Sequence, residues 1–398
     1  MCGICGEIFF AGGKSSERRL QTMTDTMARR GPDGSGIFLR GPVGFGHRRL
    51  MVIDPTEAGA QPFVDEELGL SLVFNGCIYN YPELRQQLQG LGHRLRSTSD
   101  TEVILRAWSQ WGPDTVERLI GMFAFAVHDW KSGAVTLVRD RFGIKPLYYA
   151  EVPGGVRFAS TLRALLAGGE VDRSIDRVAL HHYMSWHAVV PAPRTILAGV
   201  RKLPAATIRT YQPDGRHSDH VYWRASFTRS AEDEARPMEE WRDMVLEALR
   251  VAVRRRMVSD VPVGVLLSGG VDSSLIVGLL AEEGQRNLAT YSIGFEAAKG
   301  EKGDEFIYSD LIAKRYGTDH HKIFIPSEEM RQNLPACIGA MSEPMVSYDN
   351  IGFYLLSREV SKTIKVVQSG QGADEVFGGY DWYPPLAGSR VSDLLCIG

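Results

Sequence analysis

The sequence MCGICG at residues 1–6 opens the chain, and apolar residues dominate from position 4 to position 10. This run predicts a buried strand directly after the N-terminus. Removal of the initiator methionine, which is usual before a small residue, would leave Cys2 with both a thiol and a free α-amino group. The α-amine titrates near pH ~8 and a thiol near ~8.5, so proton transfer between them costs little. Cys2 is therefore a candidate nucleophile that carries its own base.

Cys2 and Cys5 also form a C-x-x-C pair, which has other interpretations. A zinc site needs a second pair of ligands at suitable spacing, and Cys77 stands alone. A thioredoxin-like pair normally follows a strand and opens a helix, whereas this pair lies inside an apolar run. Cys5 and Cys77 are better explained as small buried hydrophobic residues. Five cysteines, an odd number, do not indicate a disulfide framework.

Length and composition limit the class of protein. A chain of 398 residues with 44% hydrophobic residues is long enough for two cores. The net charge of -3, from 45 basic and 48 acidic residues, gives no electrostatic footprint for nucleic acid or an anionic membrane. No apolar run is long enough to cross a bilayer, and the N-terminus lacks a signal-peptide pattern. We expect a cytoplasmic protein with small-molecule substrates, no nucleic acid partner and no membrane.

Groups that suit an amino-acid substrate appear in the first half. A strand-like run at 70–74 is followed by Asn75-Gly76. Such a pair after a strand is commonly only a turn, but the Asn75 amide and the Gly76 N–H are also suitable donors to a developing oxyanion. Arg49 has the geometry to bind an α-carboxylate, and Asp100 can accept from an α-ammonium group. Each is unremarkable alone; together with Cys2 they predict a site for an amino acid.

A glycine loop dominates the second half. The apolar run 263–267 precedes the sequence SGGVDSS at 268–274, and a helical pattern follows at 275–283. Strand, glycine loop and helix together bind phosphate, because backbone N–H groups and the helix N-terminus face the anion. Asp272 is a candidate magnesium ligand. The loop lacks the lysine and spacing of a Walker A motif. Its candidate phosphate donors are Ser268, Gly269, Gly270, Ser273 and Ser274.

The two halves differ in their pattern of elements. In the first half, short apolar runs alternate irregularly with two helical patterns, which predicts an α+β layered domain. The predicted strands are 4–10, 70–75, 123–128, 134–138 and 156–159, and the helices lie near 81–91 and 101–111. In the second half, strands and helices alternate regularly, which predicts an α/β doubly wound parallel sheet. The further strands are 289–295 and 364–368, and the helices lie near 241–256, 306–316 and 352–362.

Motifs across the first half resemble the class II glutaminase domain. They are MCGICGE at 1–7, RRGPDG at 29–34, GHRRLMVID at 46–54, FNGCIYNY at 74–81, STSDTEVI at 97–104, GMFAFAVHD at 121–129 and RDRFGIKPLYY at 139–149. The resemblance implies an N-terminal-nucleophile (Ntn) αββα sandwich. It implies Cys2 as nucleophile and Asn75 and Gly76 as oxyanion donors. It also implies that Arg49, Asn75 and Asp100 bind glutamine.

The S-G-G-x-D-S-S sequence resembles the pyrophosphate loop of the ATP pyrophosphatases, which activate a carboxylate as an adenylate. This resemblance implies that the loop binds ATP and that Mg²⁺ is a second requirement. Asp272 and Asp374 would hold the metal. The residues implied in nucleotide binding are Leu267, Ser268, Gly269, Gly270, Asp272, Ser273, Ser274, Ile293, Ser369 and Gly370.

A glutaminase domain followed by this loop resembles the glutamine-dependent asparagine synthetases. We expect a glutaminase domain at 2–226, a linker at 227–240 and an asparagine synthetase-type ATP-pyrophosphatase domain at 241–398. The resemblance implies that glutamine is hydrolysed at Cys2 and that ammonia passes to an adenylated carboxylate, converting aspartate to asparagine. Glutamine, ATP and a small carboxylate acceptor are the implied partners, together with a possible homodimer.

Two departures from the family leave alternatives open. Gln371 stands where many asparagine synthetases have an acidic residue. MCGICGEIFF, FNGCIYNY and HAVVPAPRTIL at 187–197 also resemble the N-acetylglutaminylglutamine amidotransferases, so the acceptor is aspartate or an N-acetylated Gln-Gln dipeptide. Chains of this family usually continue further, so we expect a C-terminally incomplete second domain. A glutaminase with impaired synthetase activity, or a non-catalytic fragment, remains an alternative.

Three other enzyme classes share part of this pattern. A sugar-phosphate or phosphoribosyl amidotransferase would share the first half, but its second half would lack the loop at 268–274. A β-lactam synthetase would share the loop but lack Cys2. The presence of both features in one sequence favours the asparagine synthetase type.

Overall fold

The computed structural model describes residues 1–296, 306–347, 349–381 and 383–384. The chain divides into two units, and each is described separately below. The first contains Met1–Pro237 together with Pro335–Asn350, and the second contains the remainder. Within the described ranges, no helix combines the length and apolar character needed to cross a membrane.

The first unit contains two six-stranded sheets in which all neighbouring strands are antiparallel. The strands are β1 Gly3–Phe9, β2 Gly34–Arg40, β3 Val43–Arg49, β4 Phe63–Asp65, β5 Leu70–Ile78, β6 Gly121–Asp129, β7 Val135–Arg139, β8 Tyr148–Val152, β9 Gly155–Ala159, β10 Arg201–Lys202, β11 Thr207–Tyr211 and β12 His217–Val221. One sheet has the strand order β10-β8-β9-β1-β3-β2 and the other β12-β11-β7-β6-β5-β4.

Helices of the first unit begin at hydroxyl or carboxylate caps in several cases. The Ser16 side chain accepts from the third residue of its helix and Ser99 from the second, which satisfies N–H groups that have no partner within the helix. The helices are α1 Glu17–Asp25, α2 Tyr81–Gly90, α3 Asp100–Trp111, α4 Thr115–Arg118, α5 Leu162–Ala167, α6 Arg177–Ser185 and α7 Ala231–Ala235, with 3-10 turns at Glu57–Gly59 and Gly112–Asp114.

Alternation along the strands directs the apolar side chains of this unit into separate cores, and the three largest define its layers. Ile4 and Ile8 of β1 pack in one core with Val73 of β5, so this core lies between the two sheets. Cys5 faces the opposite way and packs with residues of α1 and α5. Phe74 packs with residues of α2 and α3. The order of layers is therefore helices, sheet, sheet, helices, which confirms the predicted αββα sandwich.

A buried ion network lies on β1. Glu7 and Arg157 are both fully buried, and Arg157 Nε donates to Glu7 Oε1 over 2.8 Å. The same guanidinium bonds Glu170 at 2.9 Å, and Arg19 forms a second ion pair with Glu7. The backbone N–H of Ser16 donates to the other Glu7 oxygen at 3.0 Å. Glu7 is thus surrounded by donors, as a charge in the interior must be.

The second unit is built on a four-stranded parallel sheet with the order β15-β14-β13-β16. This arrangement confirms the doubly wound parallel sheet that the sequence predicts. Its elements are α8 Met238–Arg255, β13 Val263–Leu266, α9 Val271–Glu282, β14 Ala289–Phe295, α10 Phe306–Tyr316, β15 Asp319–Ile325, α11 Ser327–Ala340, α12 Asp349–Val360, β16 Val366–Gln368 and α13 Ala373–Phe377; the part of α11 from Pro335 onward belongs to the first unit.

Two details differ from the sequence prediction. The predicted strand at 70–75 is too short and no turn follows it, because β5 continues to Ile78 and Asn75 and Gly76 pair with Ala124 and Phe123 of β6. Pairing along the whole length of β6 overrides the turn preference of an Asn-Gly sequence. The strand β15 was not predicted, because most of its side chains are polar or exposed at the edge of the sheet.

The buried ion network on β1 is expected to contribute to the free energy of unfolding. Arg157→Met should lower the free energy of unfolding by about 3–5 kcal/mol, because Glu7 stays buried with fewer donors. Arg216→Met is the matched control, since Arg216 is 84% exposed and pairs with Asp214 at the surface. The control should change stability by less than about 0.5 kcal/mol. Urea unfolding of both variants measures the difference, and equal effects would contradict a structural role for the network.

Candidate active sites

Cys2 lies immediately before β1, next to the end of β3. Gly3 is paired with Arg48, so the antiparallel register brings the residues that follow β3 alongside the N-terminus. The backbone N–H of Leu50 donates to Cys2 Sγ at 3.4 Å, and the thiol lies 3.7 Å from the Leu50 carbonyl oxygen. A backbone donor to the sulfur stabilises its thiolate form.

Burial controls the protonation of the N-terminal residues. It raises the pKa of the Cys2 thiol, against the lowering effect of Leu50 and the positive N-terminus. Burial also lowers the pKa of the Met1 amine to about 5. With Met1 attached, the nitrogen of Cys2 is part of a peptide bond and cannot accept a proton. The self-activating arrangement therefore depends on removal of Met1.

Asn75 carries a buried amide group without a partner. The residue is 1% exposed, and its Nδ2 has no acceptor within the described part of the chain. The preceding peptide is held firmly, since His47 Nε2 lies 3.2 Å from the Phe74 carbonyl oxygen and the Phe74 N–H donates to Gln61 Oε1 at 2.7 Å. An orphaned buried donor costs about 1–3 kcal/mol, so a ligand oxygen at this position would recover that energy.

Gly76 is a position where a side chain has no room. A Cβ atom there would lie 2.3 Å from the carbonyl oxygen of Met122 on the neighbouring strand. Close packing of β5 against β6 therefore explains the glycine independently of any role in catalysis.

Arg49 lies at the end of β3 and is 6% exposed. Its guanidinium donates to the carbonyl oxygen of Thr56 at 2.7 Å and to that of Asp54. These two bonds fix the orientation of the side chain. Its charge lowers the pKa of Cys2, against the larger effect of burial.

Asp100 is the first residue of α3 and is 4% exposed. Its Oδ2 accepts from the Ile78 N–H at 3.1 Å, which joins α3 to the end of β5. Burial raises the pKa of this carboxyl to about 7. Its charge raises the pKa of Cys2, while Arg49 acts in the opposite direction. Arg49 and Asp100 therefore both act electrostatically on Cys2, as residues of a common binding site would.

Two cationic residues near the N-terminus are not among the site residues that the sequence predicts. Arg30 Nε donates to the carbonyl oxygen of Cys2 at 3.2 Å. Lys145 Nζ lies 3.1 Å from the sulfur of Met1, and burial lowers the pKa of this lysine to about 8. Arg30 belongs to the motif at 29–34 and Lys145 to the motif at 139–149. Both lie in loops, which have no sequence periodicity from which the direction of a side chain could be predicted.

A cavity of about 500 Å³ opens at the carboxyl ends of strands in the second unit. The sequence analysis implies eleven residues in nucleotide or metal binding, and nine of them line this cavity. The cavity is lined by Leu267, Ser268, Gly270, Asp272, Ser273, Ile293, Ser369, Gly370 and Asp374, and in addition by Leu266, Tyr291, Ser292, Phe295, Phe353, Leu356, Gln371, Gly372 and Tyr380. Gly269 and Ser274 are not among the lining residues.

The glycine loop holds its own shape with a few hydrogen bonds. Ser268 Oγ lies 3.1 Å from Ser273 Oγ and accepts from the Gly270 N–H at 3.3 Å. Gly269 has φ +95°, and a Cβ there would lie 2.5 Å from Tyr308 Cβ, so only glycine fits. The helix α9 begins without a side-chain cap, and Ser274 Oγ is buried without a partner in the described chain. Its first turn therefore retains donors for an anion.

Two carboxylates face this cavity. Burial raises the pKa of Asp272, and the charge of Asp374 raises it further. A Cβ on Gly370 would lie 2.7 Å from Asp272 Cβ, so only glycine allows this close approach. A pair of mutually repelling carboxylates suits a divalent cation that also binds phosphate oxygens. Among the described residues, no group of three acidic, histidine or cysteine side chains could enclose a metal alone.

Known protein families match the two halves of this chain separately. The family described as a glutamine amidotransferase domain matches residues 1–223, and the asparagine synthase family matches residues 244–394. Asparagine synthetase [glutamine-hydrolyzing] 1 of Bacillus subtilis is 37% identical over 96% of this chain and 59% of its own length. Asparagine synthetase 3 of Bacillus subtilis is 33% identical over 96% of this chain and 64% of its own length.

A third relative is covered more completely. The putative asparagine synthetase 2 of Methanocaldococcus jannaschii is 34% identical, over 96% of this chain and 76% of its own length. The chain spans less than two thirds of the length of the two Bacillus subtilis relatives, at 59% and 64%.

The raised pKa of Asp100 leads to a prediction about the pH dependence of kcat/KM for glutamine. The sequence predicts that this carboxyl binds the α-ammonium group of glutamine, which requires its ionised form. On that prediction, kcat/KM for glutamine should fall as the pH drops below the Asp100 pKa of about 7. The slope should approach about tenfold per pH unit at low pH. Asp100→Asn should lower kcat/KM at pH 8 by about 100-fold and flatten this acid limb.

The matched control is Asp65→Asn. Asp65 is also 4% exposed but pairs with Arg106 at 2.7 Å. Glutamate release measured between pH 5.5 and 9 should keep its acid limb in this control. An unchanged acid limb in Asp100→Asn would contradict the assignment.

Proposed function

Because this chain belongs to the glutamine-hydrolysing asparagine synthetase family, we propose that it transfers the amide nitrogen of glutamine to a carboxylate activated by ATP. The observation that carries this proposal is the pairing of two devices in one chain. One is a partly buried thiol immediately before β1, with an unpartnered amide donor in the same unit. The other is a nucleotide-sized cavity lined by the glycine loop.

In the first half-reaction, the Cys2 thiolate attacks the side-chain amide carbon of glutamine. The free α-amine of Cys2, present once Met1 is removed, accepts the thiol proton and returns it to the leaving ammonia. Asn75 Nδ2 and the Gly76 N–H would donate to the oxyanion, and the orphaned state of that amide supports this role. Water then hydrolyses the thioester to glutamate. Arg49 and Asp100 would bind the α-carboxylate and α-ammonium groups.

In the second half-reaction, the acceptor carboxylate attacks the α-phosphorus of ATP and pyrophosphate leaves. Ser268, Gly269, Gly270, Ser273 and Ser274 would bind the phosphates, and the uncapped start of α9 supports this role. Mg²⁺, when bound, neutralises charge on the phosphates.

The metal and the nucleoside would be held by the remaining cavity residues. Asp272 and Asp374 are the proposed ligands of Mg²⁺, and this assignment is supported by the charge of Asp374, which raises the pKa of Asp272. Leu267, Ile293 and the pair Ser369-Gly370 would contact the nucleoside, and all of them line the cavity. Ammonia then displaces AMP from the acyl-adenylate and forms the amide.

Aspartate is the proposed acceptor, giving asparagine. The relatives described above, which are named asparagine synthetases, support this choice. Gln371, a neutral residue that lines the cavity, is the observation that would suit an N-acetylated Gln-Gln dipeptide instead. The choice between the two acceptors is an outcome of the experiment below.

We further propose a glutaminase domain at 2–226, a linker at 227–240 and a synthetase domain at 241–398. The family matches, which end at 223 and begin at 244, support these limits. A cytoplasmic location and a homodimer complete the proposal.

The proposed function is tested by incubating the protein with glutamine, MgATP and aspartate and measuring glutamate, pyrophosphate and asparagine separately. Glutamate, pyrophosphate and asparagine should all form. In a second incubation that contains both aspartate and the N-acetylated Gln-Gln dipeptide, asparagine rather than the dipeptide amide should be the product. Cys2→Ala should lose glutamate release by more than about 1000-fold but keep amide formation from ammonium chloride.

Asp272→Asn is the complementary variant. It should lose pyrophosphate formation by more than about 100-fold while glutamate release stays near that of the wild type. Pyrophosphate release without any dependence on an acceptor would contradict the synthetase assignment. Glutamate release that survives Cys2→Ala would contradict the assignment of the nucleophile.

A further inference from the structure

A continuous chain of side-chain hydrogen bonds crosses the parallel sheet of the second unit. Thr318 Oγ1 lies 2.8 Å from Thr290 Oγ1, which lies 2.9 Å from His320 Nδ1. His320 Nε2 lies 3.4 Å from Ser292 Oγ, and Ser292 Oγ donates to the carbonyl oxygen of Leu267. We refer to these five residues as the histidine ladder. It ends on the residue immediately before the glycine loop.

The ladder lies in the interior, where each polar group needs a partner. Thr290 is fully buried, Ser292 is 4% exposed and the His320 side chain is 9% exposed. Burial lowers the pKa of His320, as do Lys322 and His321, whereas Asp310 raises it. Burial thus favours the neutral ring, which has one N–H donor and one acceptor nitrogen.

The direction of each hydrogen bond in the ladder follows from its last member. A carbonyl oxygen only accepts, so the Ser292 hydroxyl proton points at Leu267. Ser292 then offers only lone pairs to His320, so the ring proton is on Nε2 and Nδ1 is the acceptor. Thr290 must donate to Nδ1, and it accepts in turn from Thr318. A single direction of donation satisfies all five residues, which couples the state of His320 to the Leu267 peptide.

Leu267 is consequently held at both of its peptide groups. Its N–H donates to the carbonyl oxygen of Tyr291 at 2.8 Å, and its carbonyl accepts from Ser292 on the same neighbouring strand, β14. Ser268, the first residue of the glycine loop, follows directly. Leu267, Ser268 and Ser292 all line the cavity.

We propose that His320 is a positioning residue for the nucleotide: through Ser292 it holds the Leu267 carbonyl and so fixes the direction in which the glycine loop leaves β13. His320 is not among the residues that line the cavity, so it acts through Ser292 rather than by contact. Loop N–H groups must lie within about 0.5 Å of their productive positions to bind phosphate well. The inference rests on the proposed nucleotide function of this cavity.

The test measures the dissociation constant of MgATP by isothermal titration calorimetry for the full chain. His320→Leu and Ser292→Ala should each weaken binding about tenfold. The double variant should bind no more weakly than Ser292→Ala alone, because both changes break the same connection. His320→Gln, which keeps an N–H donor, should recover binding to within about threefold of the wild type.

Ser361→Ala is the matched control. Its hydroxyl also donates to a backbone carbonyl, that of Arg358 at 2.8 Å, but it lies outside the ladder and does not line the cavity. The control should bind MgATP like the wild type. In each variant the rate of glutamate release should be unchanged, which verifies that the first unit is folded.

Several results would overturn the inference. Unchanged binding in His320→Leu would do so, as would losses that add in the double variant. Equal weakening by His320→Gln and His320→Leu would assign the effect to packing rather than to the hydrogen bond. A wild-type chain that binds no MgATP would overturn the proposed nucleotide site itself, whereas normal wild-type binding with additive losses would overturn the ladder alone.

Discussion

The pairing of β1 with β3 and β9 is the constraint on which the first site depends. Chain termini are usually mobile, whereas here the third residue is already in a strand between two neighbours. Cys5 pairs with Ala159, and Ile4 exchanges hydrogen bonds with Ser160 through its N–H at 3.0 Å and its carbonyl at 2.8 Å. A nucleophile one residue before this strand inherits its fixed position. The same pairing brings the end of β3 to the thiol.

Desolvation is the second constraint on this site. It raises the pKa of Cys2 and of Asp100 and lowers that of the Met1 amine, so all three groups favour their neutral forms. A substrate that brings an ammonium group and a carboxylate reverses part of this cost, because each charge then meets its opposite. The unpartnered amide of Asn75 has a similar free-energy cost, because it is a buried donor without a hydrogen bond, and an oxyanion would supply the missing acceptor. The buried groups of this site are therefore best stabilised by a charged, polar ligand.

Much of the fold could be predicted from local patterns. The apolar run at 4–10 and the loop at 268–274 each specify a strand or a strand and a helix, because their side-chain periodicity and glycines leave few alternatives. The continuation of β5 through Asn75 could not be predicted, since it depends on pairing with β6, distant in sequence. The hydrogen bonds of His320 could not be predicted for the same reason: its partners Thr290 and Ser292 lie on the neighbouring strand β14, and the register of that pairing is not encoded locally.

The central claim, transfer of nitrogen from glutamine to an activated carboxylate, is tested most directly by isotope labelling. Glutamine labelled with ¹⁵N at its amide is supplied with MgATP and aspartate in a buffer without added ammonium, and the asparagine formed is analysed by mass spectrometry. The account predicts asparagine that carries ¹⁵N, with the label lost in Cys2→Ala. Unlabelled asparagine from the wild type, or glutamate formed with no asparagine and no consumption of ATP, would contradict it.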